Sequence, residues 1–207
     1  MSRNPSVRLH RSSQAERPSG EGGFTLVEVV VVLVIIGLMV AFAIPNLARA
    51  RVRAIMLGQM KQVRQAAMVA RIDAIKGGRQ TVLGFTTELG RNALIAWRDD
   101  NGDETQNAGE RVIGRWTFSD KVTVADDPTV TLKTLGGGGK GVVFLPNGTA
   151  NSHGTVGAGE GAFLVSDING NRFRVTIQGG AGTVTERMYD PNYPGDWNPE
   201  RFVNWRY

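Results

Sequence analysis

One uninterrupted apolar segment near the N-terminus limits what this chain can fold into. From Phe24 to Pro45 the sequence reads FTLVEVVVVLVIIGLMVAFAIP, with Glu28 as its single charged residue. About 20 apolar residues in a helix span a bilayer. A core helix in a protein of this size is rarely apolar on every face. The segment therefore predicts a helix that lies in a membrane, in a helix bundle, or in each at different times.

The apolar segment is also compatible with a secretory signal peptide or with a plain membrane anchor. A signal peptide fits Ala41-Phe42-Ala43, which resembles a small-x-small cleavage site. The long basic region before Phe24, the length of the apolar run and the charge of Glu28 argue against it. A plain membrane anchor fits the length but leaves Glu28 and the Gly-Gly-Phe junction at 22–24 unexplained.

Glu28 is the most informative residue of the segment. An acidic side chain in a membrane helix costs free energy, up to ~3 kcal/mol at the centre and less near the interface, and such residues usually have a functional partner. Cleavage after Gly23 would give Phe24 a new α-amino group about one helical turn from Glu28. In a filament, the carboxylate of one subunit can then pair with the amine of another and set the axial register.

The sequence GFTLVE at 23–28 resembles the class III signal of type IV prepilins and type II secretion pseudopilins. That family's pattern is Gly, then Phe or Met, then Thr-Leu-hydrophobic-Glu, then an apolar run. The resemblance implies that residues 1–23 are a leader, that prepilin peptidase cuts between Gly23 and Phe24 and methylates Phe24, and that Glu28 serves assembly. Pro45 lies where many pilins carry a helix-kinking proline.

The same resemblance implies a location and a set of partners. The leader is expected in the cytoplasm, residues 24–46 are expected to cross the inner membrane once, and the C-terminal domain is expected in the periplasm until the chain enters a pseudopilus or pilus. The implied partners are prepilin peptidase, other pilin or pseudopilin subunits in a helical filament, and the inner-membrane assembly platform. Arginines flank both ends of the apolar run, so the positive-inside rule does not set this orientation alone.

Residues 47–78 continue the helix with an amphipathic pattern. Apolar residues recur at spacings of three and four, namely Val52, Met56, Met60, Val63, Ala67, Ala70 and Ala74. Because Gly77-Gly78 is a stop signal, a helix from Phe24 to Lys76, about 80 Å long, is expected. Pro45 is expected to kink it or melt a turn, since proline removes a hydrogen bond.

Beyond Gly78 the pattern changes to short strands. Candidate strands, separated by Asn, Gly and Pro turn signals, are 80–85, 93–97, 112–118, 121–124, 129–135, 141–145, 161–167 and 171–178. The segment FLVSDINGNRFRVTI predicts a hairpin with a short loop. The fold class is therefore α+β: a long N-terminal helix packed on an antiparallel sheet or sandwich at 79–186, followed by an aromatic tail at 187–207.

Three segments of the β domain narrow the resemblance. ALIAWRDDNGDETQNAGERVI, GVVFLPNGTA and FRVTIQGGAGTV, in that order, resemble the H-type (GspH-like) minor pseudopilins and the FimT-type minor pilins. This implies a minor subunit of a type II secretion pseudopilus or a type IV pilus that functions in protein secretion. The sequence does not separate secretion, pilus and competence machines.

The acidic loop at 99–110 is the best candidate for a metal site. Asp99, Asn101, Asp103, Thr105, Asn107 and Glu110 occupy positions one, three, five, seven, nine and twelve of an EF-hand-like loop, where oxygen ligands bind Ca²⁺. The sixth position is Glu104, although such a loop needs Gly there. A solvated turn without a cofactor is the favoured interpretation, and calcium is the open alternative.

Catalysis has little support in the sequence. The GGGGK segment at 136–140 is followed by Gly141 and a candidate strand, whereas a phosphate-binding loop needs Ser or Thr and a helix, so a connector is expected. The chain has no cysteine, and His153 lies in a Gly-rich loop with no catalytic pattern around it. We expect no enzymatic activity.

The C-terminal tail raises an alternative function. Arginines interleave with Tyr, Trp and Phe between Arg187 and Tyr207, and such side chains can stack on single-stranded nucleic acid. FimT-like proteins are associated with DNA uptake through a basic C-terminal region. The Gly-Arg-rich motif expected there is missing, because Thr183 follows Gly182. Contact with the sheet or another subunit is favoured, and a DNA-binding minor pilin is the alternative.

Overall fold

The structure is a computed structural model that describes residues 23–189, except the side chains of residues 45, 46, 48 and 49, together with the backbone of residues 197–198. The predicted leader and most of the predicted aromatic tail lie outside these residues. The chain divides into two compact units, Met1–Pro45 and Asn46–Tyr207.

The N-terminal helix, α1, spans Leu26–Gly77. It begins at Leu26 rather than at Phe24, because the hydroxyl oxygen of Thr25 accepts a hydrogen bond from the backbone N–H of Glu28 (3.2 Å) and caps the first turn. It ends at Gly77, and the next residue, Gly78, has a φ of 63°, the left-handed conformation that terminates many helices. The helix is unbroken at Pro45, so no turn is melted there, and the kink stays a prediction.

Within the first unit, α1 is apolar on every face. The span Leu26–Ile44 has a mean hydropathy of 3.0, and none of it is buried. By length and composition it could cross a membrane.

The second unit contains two antiparallel sheets. Their strands are β1 (Thr81–Glu88), β2 (Arg91–Arg98), β3 (Val112–Thr117), β4 (Val122–Asp126), β5 (Lys133–Thr134), β6 (Lys140–Phe144), β7 (Ala150–Asn151), β8 (Glu160–Asp167), β9 (Arg172–Gln178), β10 (Val184–Tyr189) and β11 (Trp197–Asn198). Sheet A has the order β3-β2-β1-β6-β5, with β7 also paired to β6, and sheet B has the order β11-β10-β9-β8-β4. The α+β class predicted from the sequence is confirmed.

The domain half of α1 supplies one side of the hydrophobic core. Val52, the first residue of the predicted apolar stripe, is partly buried. The other six are fully buried: Met56, Met60, Val63, Ala67, Ala70 and Ala74. They share the core with Leu83 and Phe144 of sheet A and with Phe163 and Phe173 of sheet B. Because the stripe is rich in alanine, the strands can approach the helix closely.

Polar contacts attach α1 to both sheets. The guanidinium of Arg98 in β2 donates to both carboxylate oxygens of Asp73, at 2.9 and 3.3 Å, and the Thr81 hydroxyl donates to the same carboxylate. Arg64 lies 3.7 Å from Glu186 of β10. These contacts hold the helix to sheet A through Asp73 and to sheet B through Arg64.

The hairpin predicted from FLVSDINGNRFRVTI is confirmed as β8 and β9, with Ser166 opposite Arg172. One oxygen of Asp167 accepts from the backbone N–H groups of Asn169 and Asn171, both at 2.9 Å, and this closes the turn. An Asx-type turn of this kind explains the strong local signal in the sequence.

The strand predicted over 129–135 is wrong except at Lys133–Thr134. The Asp127 carboxylate accepts from the backbone N–H groups of Thr129 and Val130, and Asp126 accepts from that of Leu132. Side chains thus satisfy backbone donors that a sheet would otherwise satisfy, and the segment crosses between the sheets. Strand β10 was not predicted, and the boundary expected after residue 186 falls inside it.

Candidate assembly site

The first described residues place the predicted cleavage junction directly before α1. Gly23, Phe24 and Thr25 precede the helix without regular structure, and the Phe24 side chain is 81% exposed. Thr25 is the N-cap and Glu28 is the third helical residue, which is the spacing of a capping box. Sequence reasoning missed this cap, although Thr-x-x-Glu was its visible signal. The Gly23–Phe24 peptide bond therefore lies outside the helix.

Glu28 lies in the first turn of α1, where the helix dipole favours negative charge. Its side chain lines a shallow groove on the helix surface, whose other lining residues are Phe24, Val29, Val32 and Leu33. Among the residues that the structure describes, no cation pairs with this carboxylate. A charged group on an apolar, exposed helix end is thus available to a partner outside the chain.

The structure brings three of the predicted site residues together and separates the fourth. Gly23, Phe24 and Glu28 fall within about one helical turn of one another along the chain. Pro45 lies about 25 Å farther along the helix at the usual rise. The junction and the acidic residue can therefore act as one site, in which Pro45 has no direct part.

The acidic loop at 99–110 is held together by its own N–H groups. Asp99 is buried, and its carboxylate accepts from the backbone N–H groups of Gly102 (2.7 Å) and Glu104 (2.8 Å) and from the Gln80 amide (2.6 Å). Glu104 has a φ of 58°, a conformation that favours glycine. The strained residue is held by an ion pair between its carboxylate and the Lys133 ammonium.

The other predicted calcium ligands are also engaged by donors. The Asp103 carboxylate accepts from the side chains of Asn107 and Asn101 and from the backbone of Thr105. Led by the Asn107 hydrogen bond, these contacts hold the pKa of Asp103 below its usual value. Glu110 accepts from two backbone N–H groups of the loop. Over residues 23–189, no three His, Cys, Asp or Glu residues are placed to hold a metal ion.

The remaining candidate sites are structural contacts in this fold. Lys140 of the GGGGK segment donates to the backbone carbonyl of Leu132 at 3.1 Å, which agrees with the expected connector. The ring Nδ1 of His153 lies 2.8 Å from the carbonyl oxygen of Thr131. Each side chain therefore has a backbone partner that explains its position.

Arginines lie on the outer face of sheet B. Arg174 is paired across the strands with Arg187, and its guanidinium forms a bidentate pair with the buried Asp127, at 2.7 and 3.2 Å. Arg172 lies over the ring of Tyr189, 3.6 Å from its centroid. Beyond Tyr189, the aromatic tail lies outside the described residues except for the backbone of β11.

Comparisons with known proteins agree with the junction and with the β domain. Residues 18–44 match the prokaryotic N-terminal methylation motif, and residues 47–182 match the family described as type II transport protein GspH. The minor pseudopilin EpsH from the Type 2 Secretion System of Vibrio cholerae has 11% sequence identity and a TM-score of 0.42, covering 67% of this chain and 99% of that chain. No curated protein sequence matches. The two sequence matches confirm the resemblance drawn from the motifs, and the chain belongs to the GspH family of type II transport proteins.

Proposed function

We propose that the chain is a minor subunit of a type II secretion pseudopilus, made as a precursor and polymerised through α1. The observation that carries this function is the GFTLVE junction, followed by a fully exposed apolar helix with Glu28 in its first turn. Its role is structural, with no reaction of its own.

Processing is the first step of the proposed function. Prepilin peptidase cuts between Gly23 and Phe24 and methylates the new terminus of Phe24. The exposure of Phe24 and the start of α1 at Leu26 support this step, because a peptidase needs a substrate peptide outside regular structure. The cap at Thr25 fixes that boundary.

Storage in the inner membrane is the second step. The span Leu26–Ile44 holds the chain in the bilayer once, with the β domain in the periplasm. The position of Glu28 near one end of this span supports this arrangement, because a carboxylate costs less near the interface than at the centre. Other subunits and the inner-membrane platform then draw the helix into the filament.

Assembly is the third step, and Glu28 directs it. The carboxylate pairs with the Phe24 amine exposed by processing, and this pairing sets the axial register between subunits. Little water surrounds the helices of a bundle, so a charge pair that is weak in water contributes more there. Replacing Glu28 by Gln keeps the shape of the side chain and removes its charge, so this variant tests the charge pair directly.

The test uses two variants of the full chain in cells that assemble the pseudopilus. Glu28→Gln is expected to be processed normally, with Phe24 as the mature N-terminus by mass spectrometry, but to be missing from the sheared filament fraction. Glu28→Asp keeps the charge and is expected to enter filaments better than Glu28→Gln. Normal incorporation of Glu28→Gln would refute the register role, and a mature terminus other than Phe24 would refute the processing site.

A DNA-binding minor pilin is the alternative function and is less well supported. Arg174 is paired with Asp127, and Arg172 is stacked on Tyr189. Contacts within the domain therefore account for the positions of both arginine side chains, without a nucleic acid. Their engagement within sheet B favours a structural role for this face.

A further inference from the structure

Strand β11 covers only one end of the sheet edge that it occupies. It has two residues, and it pairs with the end of β10: Asn198 lies opposite Met188, and Trp197 lies opposite Tyr189. The pairing of β10 with β9, on its other side, continues back to Val184. The described part of β11 therefore stops where β10 extends for four more residues along the same edge.

Alternate residues of β10 direct their backbone groups to this edge. The N–H of Gln178 donates to the carbonyl oxygen of Thr183 at 3.0 Å, so Thr183 and every second residue after it bond toward β9. The residues between them, Val184, Glu186 and Met188, therefore direct their N–H and C=O groups to the side of β11. Met188 is the residue of these three that β11 already faces.

The next residues of the chain suit this edge. In the register of β11 they fall opposite β10 in these pairs: Pro199 with Arg187, Glu200 with Glu186, Arg201 with Thr185, and Phe202 with Val184. Pro199 has no N–H, and it falls at a position whose backbone N would face away from β10, where an edge strand tolerates proline. We name residues 199–202, which lie outside the described residues, the strap.

The helix α1 has an exposed apolar residue beside β10. The Nη1 atom of Arg64 lies 3.7 Å from the Oε1 atom of Glu186, and the Arg71 side chain lies against Gly182, two residues before β10. The helix and β10 therefore run antiparallel to each other. Met68 lies about one helical turn from each arginine and is 45% exposed, next to the first half of β10.

The strap would present an aromatic side chain to this position. Met188 is buried and Val184 packs against the hydrophobic core, so these two side chains of β10 face α1. Side chains directly opposite each other in a sheet lie on the same face. Phe202, opposite Val184, would therefore face α1 and contact Met68, and both apolar side chains would lose exposure to water.

Charge complementarity supports the same register. Glu200 falls opposite Glu186, and two carboxylates at facing positions repel each other unless cations are near. Arg64 lies beside Glu186 with its side chain 46% exposed, and Lys61 is exposed about one turn earlier on α1. Two acidic side chains would thus meet two basic ones on the helix side of the edge.

We propose that the strap continues β11 along β10 and docks against α1 of its own chain, with Phe202 on Met68 and Glu200 beside Arg64. The occupant is the chain's own C-terminal segment, because β11 already delivers it to this edge. The inference goes beyond the proposed function and does not depend on it, since the strap and its docking surface belong to one chain. It also gives Phe202 a packing role in place of stacking on single-stranded nucleic acid.

The absence of cysteine makes the register directly testable. Thr185→Cys with Arg201→Cys, in one full-length chain in detergent micelles, is expected to give an intrachain disulfide on mild oxidation. Facing residues of this type have Cα atoms about 4.5 Å apart, which a disulfide can span. The register control, Thr185→Cys with Val203→Cys, moves the second cysteine to a diagonal position about 7–8 Å away and should give about tenfold less disulfide.

Proteolysis measures docking independently in the cysteine-free chain. Trypsin cuts after Arg201, and cutting follows the population of undocked strap. Cleavage is expected to be at least about tenfold slower than in a synthetic peptide of residues 196–207, which has no docking surface. Met68→Ser should raise the cleavage rate about fivefold, because the strap loses apolar contact. Leu89→Ser, at an exposed apolar residue between β1 and β2, is the matched control and should leave the rate unchanged.

Each outcome supports or overturns the inference. A disulfide between two chains in place of the intrachain one would show that the strap pairs with a second copy, and equal yields from Arg201→Cys and Val203→Cys would show that it has no fixed register. Either result overturns the inference. Cleavage as fast as in the free peptide, or unchanged by Met68→Ser, overturns it too. Filament assembly is not read in these assays, so the proposed function is tested separately.

Discussion

Replacing Arg174 by methionine should destabilise the β domain by an amount that the structure allows us to work out. The Arg174 and Asp127 side chains are 12 and 2% exposed, and the guanidinium contacts both carboxylate oxygens. Removing one partner of a buried pair costs about 3–5 kcal/mol, because the other charge stays buried. Asp127 keeps hydrogen bonds from the backbone of Thr129 and Val130, so we expect about 3 kcal/mol, the lower end of this range.

The assay is urea denaturation of the full chain in detergent micelles, followed by the fluorescence of tryptophan, since Trp97 is buried in the native state. With a dependence of about 2 kcal/mol per molar urea, the expected loss moves the midpoint down by about 1.5 M. Arg172→Met is the matched control, on the same strand and over the ring of Tyr189. A cation–π contact between half-buried side chains such as these is expected to be worth about 1 kcal/mol.

The pH dependence separates loss of the ion pair from loss of side-chain volume. Burial acts to raise the pKa of Asp127, but hydrogen bonds from Arg174 and Thr129 and the charge of Arg174 outweigh it and lower the pKa below its usual value. The native protein therefore gains stability from Asp127 above the unfolded pKa of about 3.9 and loses it as the pH falls through the lower native pKa.

Without Arg174 the pKa of Asp127 rises, because burial is less opposed. The difference in urea midpoint between the native chain and Arg174→Met should therefore be largest at neutral pH and shrink as the pH falls below about 4. If the difference in urea midpoint is the same at neutral pH and below about pH 4, the lost side-chain volume, rather than the lost charge, explains the destabilisation. A midpoint shift below about 0.3 M at neutral pH would refute the reasoning altogether.

Three other predictions concern the loops and the tail. Gly136→Ala should lower the free energy of unfolding by about 1–3 kcal/mol, because the new Cβ would clash with the backbone carbonyl oxygen of Asp103. The control in the same urea assay is Gly139→Ala, whose Cβ would lie in open space. Calorimetric titration of Ca²⁺ into the full chain should give no binding heat, because the acidic loop is held by its own donors, and a saturable heat lost in Asp103→Asn would contradict this. Gel-shift titration with single-stranded DNA at physiological salt should show no shift, and a salt-dependent shift weakened by Arg187→Glu would favour the DNA-uptake alternative.

The parts of this fold that were predictable rest on local sequence signals. The helix follows from one apolar run and from residues spaced by three and four, of which Met60 and Ala70 are fully buried as expected. The hairpin around Asn169 follows from its turn residues, because Asp167 closes that turn within four residues of sequence. Local patterns report such features since the interacting residues are close along the chain.

The parts that were not predictable depend on residues far apart in sequence. Strand β1 pairs with β6 across more than fifty residues of chain, and no periodicity marks that choice. The segment 129–135 has a strand-like composition. The backbone N–H groups of Thr129 and Val130 nevertheless donate to the carboxylate of Asp127 instead of to a neighbouring strand. The exposure of Met68, Ile72 and Ile75 on α1 was not predicted either, because the sequence pattern does not show which apolar residues of the helix the sheets leave uncovered.

The two polar attachments of α1 have a mechanical consequence. A filament that moves along its axis pulls on each helix lengthwise, and the load reaches the β domain wherever the helix is fastened to it. The bidentate contact of Asp73 with Arg98 fastens α1 to sheet A, and Arg64, more than two turns earlier, fastens it to sheet B through Glu186. Within the second unit, tension along the helix is thus shared between the two sheets, because the two contacts attach it at different positions along its length.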